Sequence, residues 1–152
     1  MEMTIQEMRK RFNLQPCDEG GELCELYRDN PTEERPASGV IYYALCPEEY
    51  SEFHVIDCDE YWLYHIGSTI EVWMIDSKGK IQIEKLGIEE GSQPCLLIKA
   101  GTIFGARIIG NEKKSTLISC VTVPQFLEEN FKLFTKDEML KKHPELEEFY
   151  KN

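Results

Sequence analysis

Residues 51–67 read SEFHVIDCDEYWLYHIG. The stretch holds two runs rich in Val, Ile, Phe, Tyr and Trp, which favour β-strands, around an aspartate-rich connection typical of a tight turn. A glycine, Gly67, ends the second run. The stretch therefore predicts two consecutive strands joined by a short turn.

The alternation in these strands assigns polar and aromatic side chains to defined faces, because alternate residues of a strand point the same way. His54 and Ile56 share one face, and Glu60, Trp62 and Tyr64 share another. If both faces point into a barrel, the side chains line one cavity, where they could bind an organic ligand, hold a metal or transfer protons. The two aromatic residues fit a hydrophobic core equally well, whereas His and Glu are seldom buried without a partner.

Short runs of the same kind continue along the chain. Eight of them occupy residues 40–45, 53–57, 60–66, 70–76, 81–86, 94–100, 104–109 and 116–123. Turn-forming Gly, Pro, Ser and Asn residues separate most of them. Short strands at this spacing, with no helix between them, predict an all-β fold, either a sandwich or a barrel.

Each end of the chain carries a helix signal. Thr4 to Glu7 and Thr135 to Glu138 both have the T-x-x-E pattern of a capping box, which predicts a short N-terminal and a short C-terminal helix. Pro144 then ends the second helix. Residues 29–38, with two prolines and four charged residues, predict an exposed loop. No repeat or linker is found, so we expect a single domain over residues 1–152.

The composition excludes several classes of partner. A net charge of −11 opposes binding to nucleic acid and to anionic membranes. No run approaches the roughly 20 apolar residues of a membrane helix, and the acidic N-terminal stretch lacks the pattern of a secretory signal. The six cysteines form no C-x-x-C pair, so we expect reduced thiols and a cytoplasmic location.

On these residues the chain resembles the cupin superfamily, whose first motif is G-x5-H-x-H-x(3,4)-E-x6-G. His54, Glu60 and Gly67 match it, whereas Ile56 stands at the second histidine. In the second motif Phe104 stands where the fourth metal ligand would be. Transition-metal sites usually have three or more protein ligands, so we expect no metal and no other cofactor; a metal site, if one formed, would use His54 and Glu60.

The sequence is also similar to a narrower branch, the fifth cupin family, long known only as a domain of unknown function. The matching segments lie at 16–21, 25–28, 51–54, 59–62 and 122–126. The chain departs from the branch pattern at Cys17, Val55 and Leu63. The resemblance implies a jelly-roll barrel with a pocket between its two sheets, and a homodimer; the capping boxes add the short N- and C-terminal helices.

Four functional hypotheses follow, in order of preference. The first is a small-molecule-binding cupin without a metal, for a ligand that could be sugar- or nucleotide-like. His54 and Glu60 would supply polar contacts, Trp62 and Tyr64 a stacking wall, and Glu19 with its Gly-Gly turn the mouth. The second is a metal-independent isomerase or epimerase, with His54 as base and Tyr64 as proton donor. A metal-dependent enzyme using His54 and Glu60, and a purely structural barrel, complete the set.

Overall fold

The computed structural model describes residues 2–28 and 34–151, which form eleven strands, two α-helices and two 3₁₀ helices. The helices are α1 (Ile5–Phe12), α2 (Lys136–Lys142) and the 3₁₀ segments Glu128–Asn130 and Pro144–Glu148. The strands are β1 (Gln15–Pro16), β2 (Glu22–Arg28), β3 (Gly39–Leu45), β4 (Tyr50–Val55), β5 (Asp59–Ile66), β6 (Ile70–Ile75), β7 (Ile81–Leu86), β8 (Cys95–Ile98), β9 (Ile103–Ile108), β10 (Thr116–Val123) and β11 (Lys132–Leu133).

All eight predicted strands are confirmed, as β3 to β10. Both predicted capping boxes are also present, with the Thr4 and Thr135 hydroxyls accepting from the backbone N–H of Glu7 and Glu138. Part of the predicted loop, residues 29–33, lies outside the described residues, and residues 34–38 form neither helix nor strand. In the described part of the chain, no helix is long and apolar enough to cross a membrane.

The strands form two antiparallel sheets. One has the order β1-β2-β3-β10-β5-β8, and the other has the order β11-β4-β9-β6-β7. The consecutive strands β4 and β5 therefore do not pair with each other but lie in different sheets. Their inward faces meet across the interior of the barrel, which determines where the site can form.

Apolar side chains fill the space between the sheets. The main core contains Leu45, Trp62, Ile70, Val72, Leu86, Ile98, Phe104, Ile108 and Ile118 among its buried members. A second cluster, around Phe53, Trp73 and Phe149, attaches the C-terminal segment to the outer face of the five-stranded sheet. Met8 and Leu14 similarly anchor α1 near Ala44 on β3.

Arg107 on β9 ties the C-terminal segment to this sheet. Its guanidinium donates to the carbonyl oxygens of Glu148, Phe149 and Lys151 at 2.8 to 2.9 Å, and pairs with the Glu71 carboxylate at 3.0 Å. Both members of the ion pair are nearly buried. Because guanidinium is a planar donor without an acceptor atom, one side chain can satisfy all these oxygens together.

Candidate ligand-binding site

His54 and Glu60 line one cavity from opposite sheets. The cavity has a volume of about 170 Å³, and its lining includes the start of β3 and the segment that follows β10. Its polar wall consists of Glu19, Glu25, His54, Glu60, Thr122 and Gln125. Its apolar wall consists of Leu23, Val40, Ile41, Ile56, Phe126 and Phe131 with Gly39 and Cys120. A smaller inner space of about 40 Å³ adds Tyr43, Ser51 and Trp62 to the lining.

A break in strand register places His54 in the cavity. The pairing of β4 with β9 shifts between Ser51 and His54, so that both Phe53 and His54 are buried. Phe53 joins the core around the C-terminal segment, while the imidazole faces the cavity beside Phe104, at a ring distance of 4.2 Å. Only 6% of His54 is exposed.

The hydrogen bonding of His54 determines which ring nitrogen carries the proton. Nδ1 lies 2.6 Å from the carbonyl oxygen of Glu52. A carbonyl can only accept, so Nδ1 is the donor and Nε2 of the neutral ring keeps a free lone pair. Burial lowers the pKa of His54, against a smaller opposing effect of the Glu52 carbonyl, which favours this neutral form. The imidazole is therefore a hydrogen-bond acceptor toward the cavity.

The pKa of Glu60 is shifted in the opposite direction from that of His54. Burial raises the pKa of this carboxyl to about 7; the bond from the Trp62 indole opposes the rise and the negative charge of Glu19 adds to it. The indole N–H donates to Glu60 Oε1 at 2.5 Å. Since only 9% of Glu60 is exposed, its charged form has little access to water. Near neutral pH this group exists in both protonation states.

Glu19 reaches the cavity from a rigid turn. The following residues, Gly20 and Gly21, have φ values of +101° and +76°, which strongly favour glycine. A Cβ at Gly20 would lie 2.1 Å from the Tyr50 carbonyl oxygen. The Tyr43 hydroxyl donates to the Gly20 carbonyl at 2.6 Å. The Gly-Gly pair thus fixes the backbone next to Glu19, which lines both the main cavity and its smaller space.

Gln125, just after β10, is a cavity residue that the sequence pattern does not reveal. Its Nε2 donates to the Phe126 carbonyl at 3.0 Å, whereas its Oε1 is buried without a hydrogen-bond partner. Only 4% of the residue is exposed. A Cβ at Gly39 would lie 1.9 Å from this oxygen, so the amide depends on glycine at that position. Only the matched family segment at 122–126, within which Gln125 lies, indicated that this region is important.

Tyr64 does not join the cavity, in contrast to the interpretation that groups it with His54 and Glu60. Its hydroxyl donates to the Gly67 carbonyl at 2.6 Å, and it is absent from both lining sets. The facing of the strand is as expected, but Tyr64 lies four residues beyond Glu60, roughly 13 Å along β5 at about 3.3 Å per residue. Trp62 occupies the intervening position and closes the inner wall.

Comparison with known families agrees with this architecture. The family described as Cupin superfamily (DUF985) matches residues 6–134 of the sequence. The chain belongs to this cupin family. The resemblance inferred from His54, Glu60 and Gly67 is thereby confirmed, as is the cupin barrel fold. No curated protein matches the sequence.

Solved structures show how widely this cupin fold is shared. A protein from Shewanella oneidensis is 28% identical with a TM-score of 0.87, over 94% of this chain and 92% of that chain. A hypothetical protein from Leishmania major is 26% identical with a TM-score of 0.83, over 94% of each chain. A cupin 2 domain-containing protein from Halorhodospira halophila, 14% identical with a TM-score of 0.61 over 91% and 86%, shares the fold.

The donor set of this cupin does not fit a transition metal. Ile56 lines the cavity at the second histidine position of the motif, and the Phe104 ring packs on His54 at the position of the fourth ligand. Within residues 2–28 and 34–151, no group of three His, Cys, Asp or Glu side chains could hold a metal ion. Two donors, His54 and Glu60, fall short of the three or four that such sites use.

Proposed function

We propose that this cupin binds a small organic molecule in the His54–Glu60 cavity, without a transition metal. The observation that carries the proposal is a buried acceptor at the cavity wall, Gln125 Oε1, which has no hydrogen-bond partner among the described residues. His54, whose Nε2 is an acceptor because Nδ1 donates to the Glu52 carbonyl, lines the same cavity. Buried polar atoms are almost always hydrogen-bonded. Because the surrounding walls are apolar, a ligand with matching donors would satisfy both atoms and bury its own apolar surface.

The experiment is a thermal-shift screen of small metabolites, followed by calorimetry on each hit. Ile41 lines both the main cavity and its inner space. Ile41→Phe should therefore fill the site and abolish binding of a true ligand. Ile83→Phe, at an exposed position on β7, is the matched control and should leave binding unchanged. Hits that survive Ile41→Phe do not bind in this cavity, and a screen without any cavity-dependent hit would contradict the proposal.

A second candidate function is a metal-independent isomerase or epimerase. It is favoured by one observation: a neutral His54 able to accept a proton and a Glu60 with a pKa of about 7 line the same cavity. An acid and a base near neutrality are what proton transfer requires. Glu60 would then be the proton donor in place of Tyr64. Conversion of a bound hit by the wild type, but not by His54→Asn, would establish this function.

We further propose that the protein acts in the cytoplasm as a homodimer. The support is the six cysteines, which form no C-x-x-C pair, and the family resemblance. The edge strands β7 and β8 provide backbone that a second copy could cover.

A further inference from the structure

The cavity is lined by carboxylates and by no basic side chain. Glu19, Glu25 and Glu60 line it, and none of the described lining residues is Lys or Arg. Two arginines border the lining without belonging to it. Arg28 pairs with the lining residue Glu25 at 3.3 Å, and Arg35 pairs with Asp57 at 2.7 Å and donates to the backbone carbonyl of Gln125 at 3.1 Å. An anionic ligand would therefore bring its charge toward Glu19 and Glu60, two lining carboxyl groups for which no ion pair is found in the described part of the chain.

Two buried side chains of the site, Gln125 and His54, each offer a lone pair rather than a proton. The orientation of the Gln125 amide is defined by its contact with the Phe126 carbonyl, since a flipped amide would place two oxygens together. Its Oε1 therefore points away from that contact as an acceptor without a partner. His54 Nε2 is likewise an acceptor because Nδ1 donates to Glu52. Two acceptors in the lining of one cavity call for a ligand with several donors.

The apolar walls limit the body of the ligand. A volume of about 170 Å³ is close to that of an engineered protein cavity of about 150 Å³ that takes up benzene. Phe126 and Phe131 form an edge-to-face pair at the wall, with ring centroids 5.9 Å apart. Aromatic faces attract cations as well as apolar groups. The walls thus fit one ring-sized group next to a positively charged head.

We infer that the cavity takes a small organic cation, a protonated amine that carries an apolar group about the size of one aromatic ring. This inference rests on the proposed binding function and specifies its ligand class. The three N–H groups of the ammonium donate to the Glu60 carboxylate, to Gln125 and to His54, while the apolar group packs against the phenylalanine pair. Sugar nucleotides, with their negative phosphates, do not fit this description.

Three matched probes test the charge of the ligand: benzylamine, benzyl alcohol and benzoate, which share one ring and differ in the head group. Calorimetry at about pH 7.5 should show benzylamine binding about tenfold more tightly than benzyl alcohol, because hydrogen bonds to an ionised donor are about twice as strong as neutral ones. Benzoate should not bind detectably. Ile41→Phe should abolish benzylamine binding, which locates the probe in the cavity.

Glu60→Gln separates the charge effect from shape. The variant keeps the acceptor for the Trp62 indole, so it should fold, and circular dichroism checks that it does. It should weaken benzylamine about tenfold and leave benzyl alcohol unchanged. Glu90→Gln, at an exposed position outside the lining, should change neither.

The outcomes distinguish this inference from the function on which it rests. If benzyl alcohol or benzoate binds as tightly as benzylamine, or if benzylamine binds but survives Ile41→Phe, the cation inference is wrong. If no probe binds while the metabolite screen yields a neutral or anionic hit that Ile41→Phe abolishes, the cation inference fails and the binding function stands. If neither the probes nor the screen gives cavity-dependent binding, both fail.

Discussion

Replacing Glu60 by glutamine should remove a pH dependence from the stability of the fold. Burial raises the pKa of this carboxyl from 4.5 to about 7. At about 1.4 kcal/mol for each pKa unit, the difference amounts to about 3 kcal/mol. Since the folded state binds this proton more tightly than the unfolded state, the stabilisation is complete below about pH 4.5 and is lost as the pH rises through about 7.

The comparison of wild type with Glu60→Gln isolates this contribution. Glutamine has nearly the same shape, keeps an acceptor for Trp62 and never ionises. The lowered pKa of His54 makes stability fall toward acid pH, but it does so in both proteins and cancels in the difference. Between about pH 5 and pH 8 the free energy of unfolding of the wild type should fall by about 2.5 kcal/mol relative to that of the variant. This corresponds to a fall of roughly 5 to 10 °C in Tm.

Urea denaturation of both proteins at several pH values between those limits measures the effect. The exposed Glu90→Gln serves as control and should follow the wild type at every pH. The difference in free energy of unfolding between wild type and Glu60→Gln could also stay constant within about 0.5 kcal/mol over this pH range. That result would refute the reasoning, because the carboxyl would then have the same pKa in the folded and the unfolded chain.

Four further predictions follow from the structure. Gly39→Ala should push the Gln125 amide out of place, destabilising the fold by about 1 to 3 kcal/mol and abolishing ligand binding in calorimetry; unchanged binding would contradict the assigned role of the amide. Arg107→Ala should cost about 3 kcal/mol in urea denaturation, since it leaves carbonyls and Glu71 without their donor; a loss below about 1 kcal/mol would show that the C-terminal segment does not depend on it. Elemental analysis should find well under one transition metal per chain, and stoichiometric metal lost on His54→Ala would reverse that expectation. Light scattering should give the mass of a dimer rather than that of one 17.7 kDa chain.

Local patterns in the sequence were enough to predict most of the fold. The T-x-x-E boxes define where α1 and α2 begin because a capping box depends only on residues three apart. The apolar and β-branched runs likewise identify β3 to β10, because strand preference also depends on residues that are close in sequence. By contrast, β2 is not predicted: its residues Glu22–Arg28 include three charged side chains, and its burial does not alternate regularly. Its position in the sheet is decided by pairing with β3.

The candidate site was only partly predictable, because its members come from distant parts of the chain. The alternation of side chains within β4 and β5 identifies His54 and Glu60, because it shows which residues of one strand share a face. The alternation does not show how far along the barrel each residue lies. For this reason it groups Tyr64 with the cavity residues, whereas the Tyr64 hydroxyl donates to the Gly67 carbonyl. Gln125 and Phe131 lie outside regular strands, in segments whose path depends on tertiary packing.

The hydrogen bond between Trp62 and Glu60 means that the intrinsic tryptophan fluorescence of this cupin can report on the state of the site. The chain has two tryptophans, and the other one, Trp73, donates to Glu71 on the opposite sheet. In a Trp73→Phe background, all tryptophan emission would come from an indole whose N–H contacts the carboxyl that titrates near neutrality. The wavelength and intensity of this emission would therefore change with the charge on Glu60, and would also change when a cation binds, without any added dye.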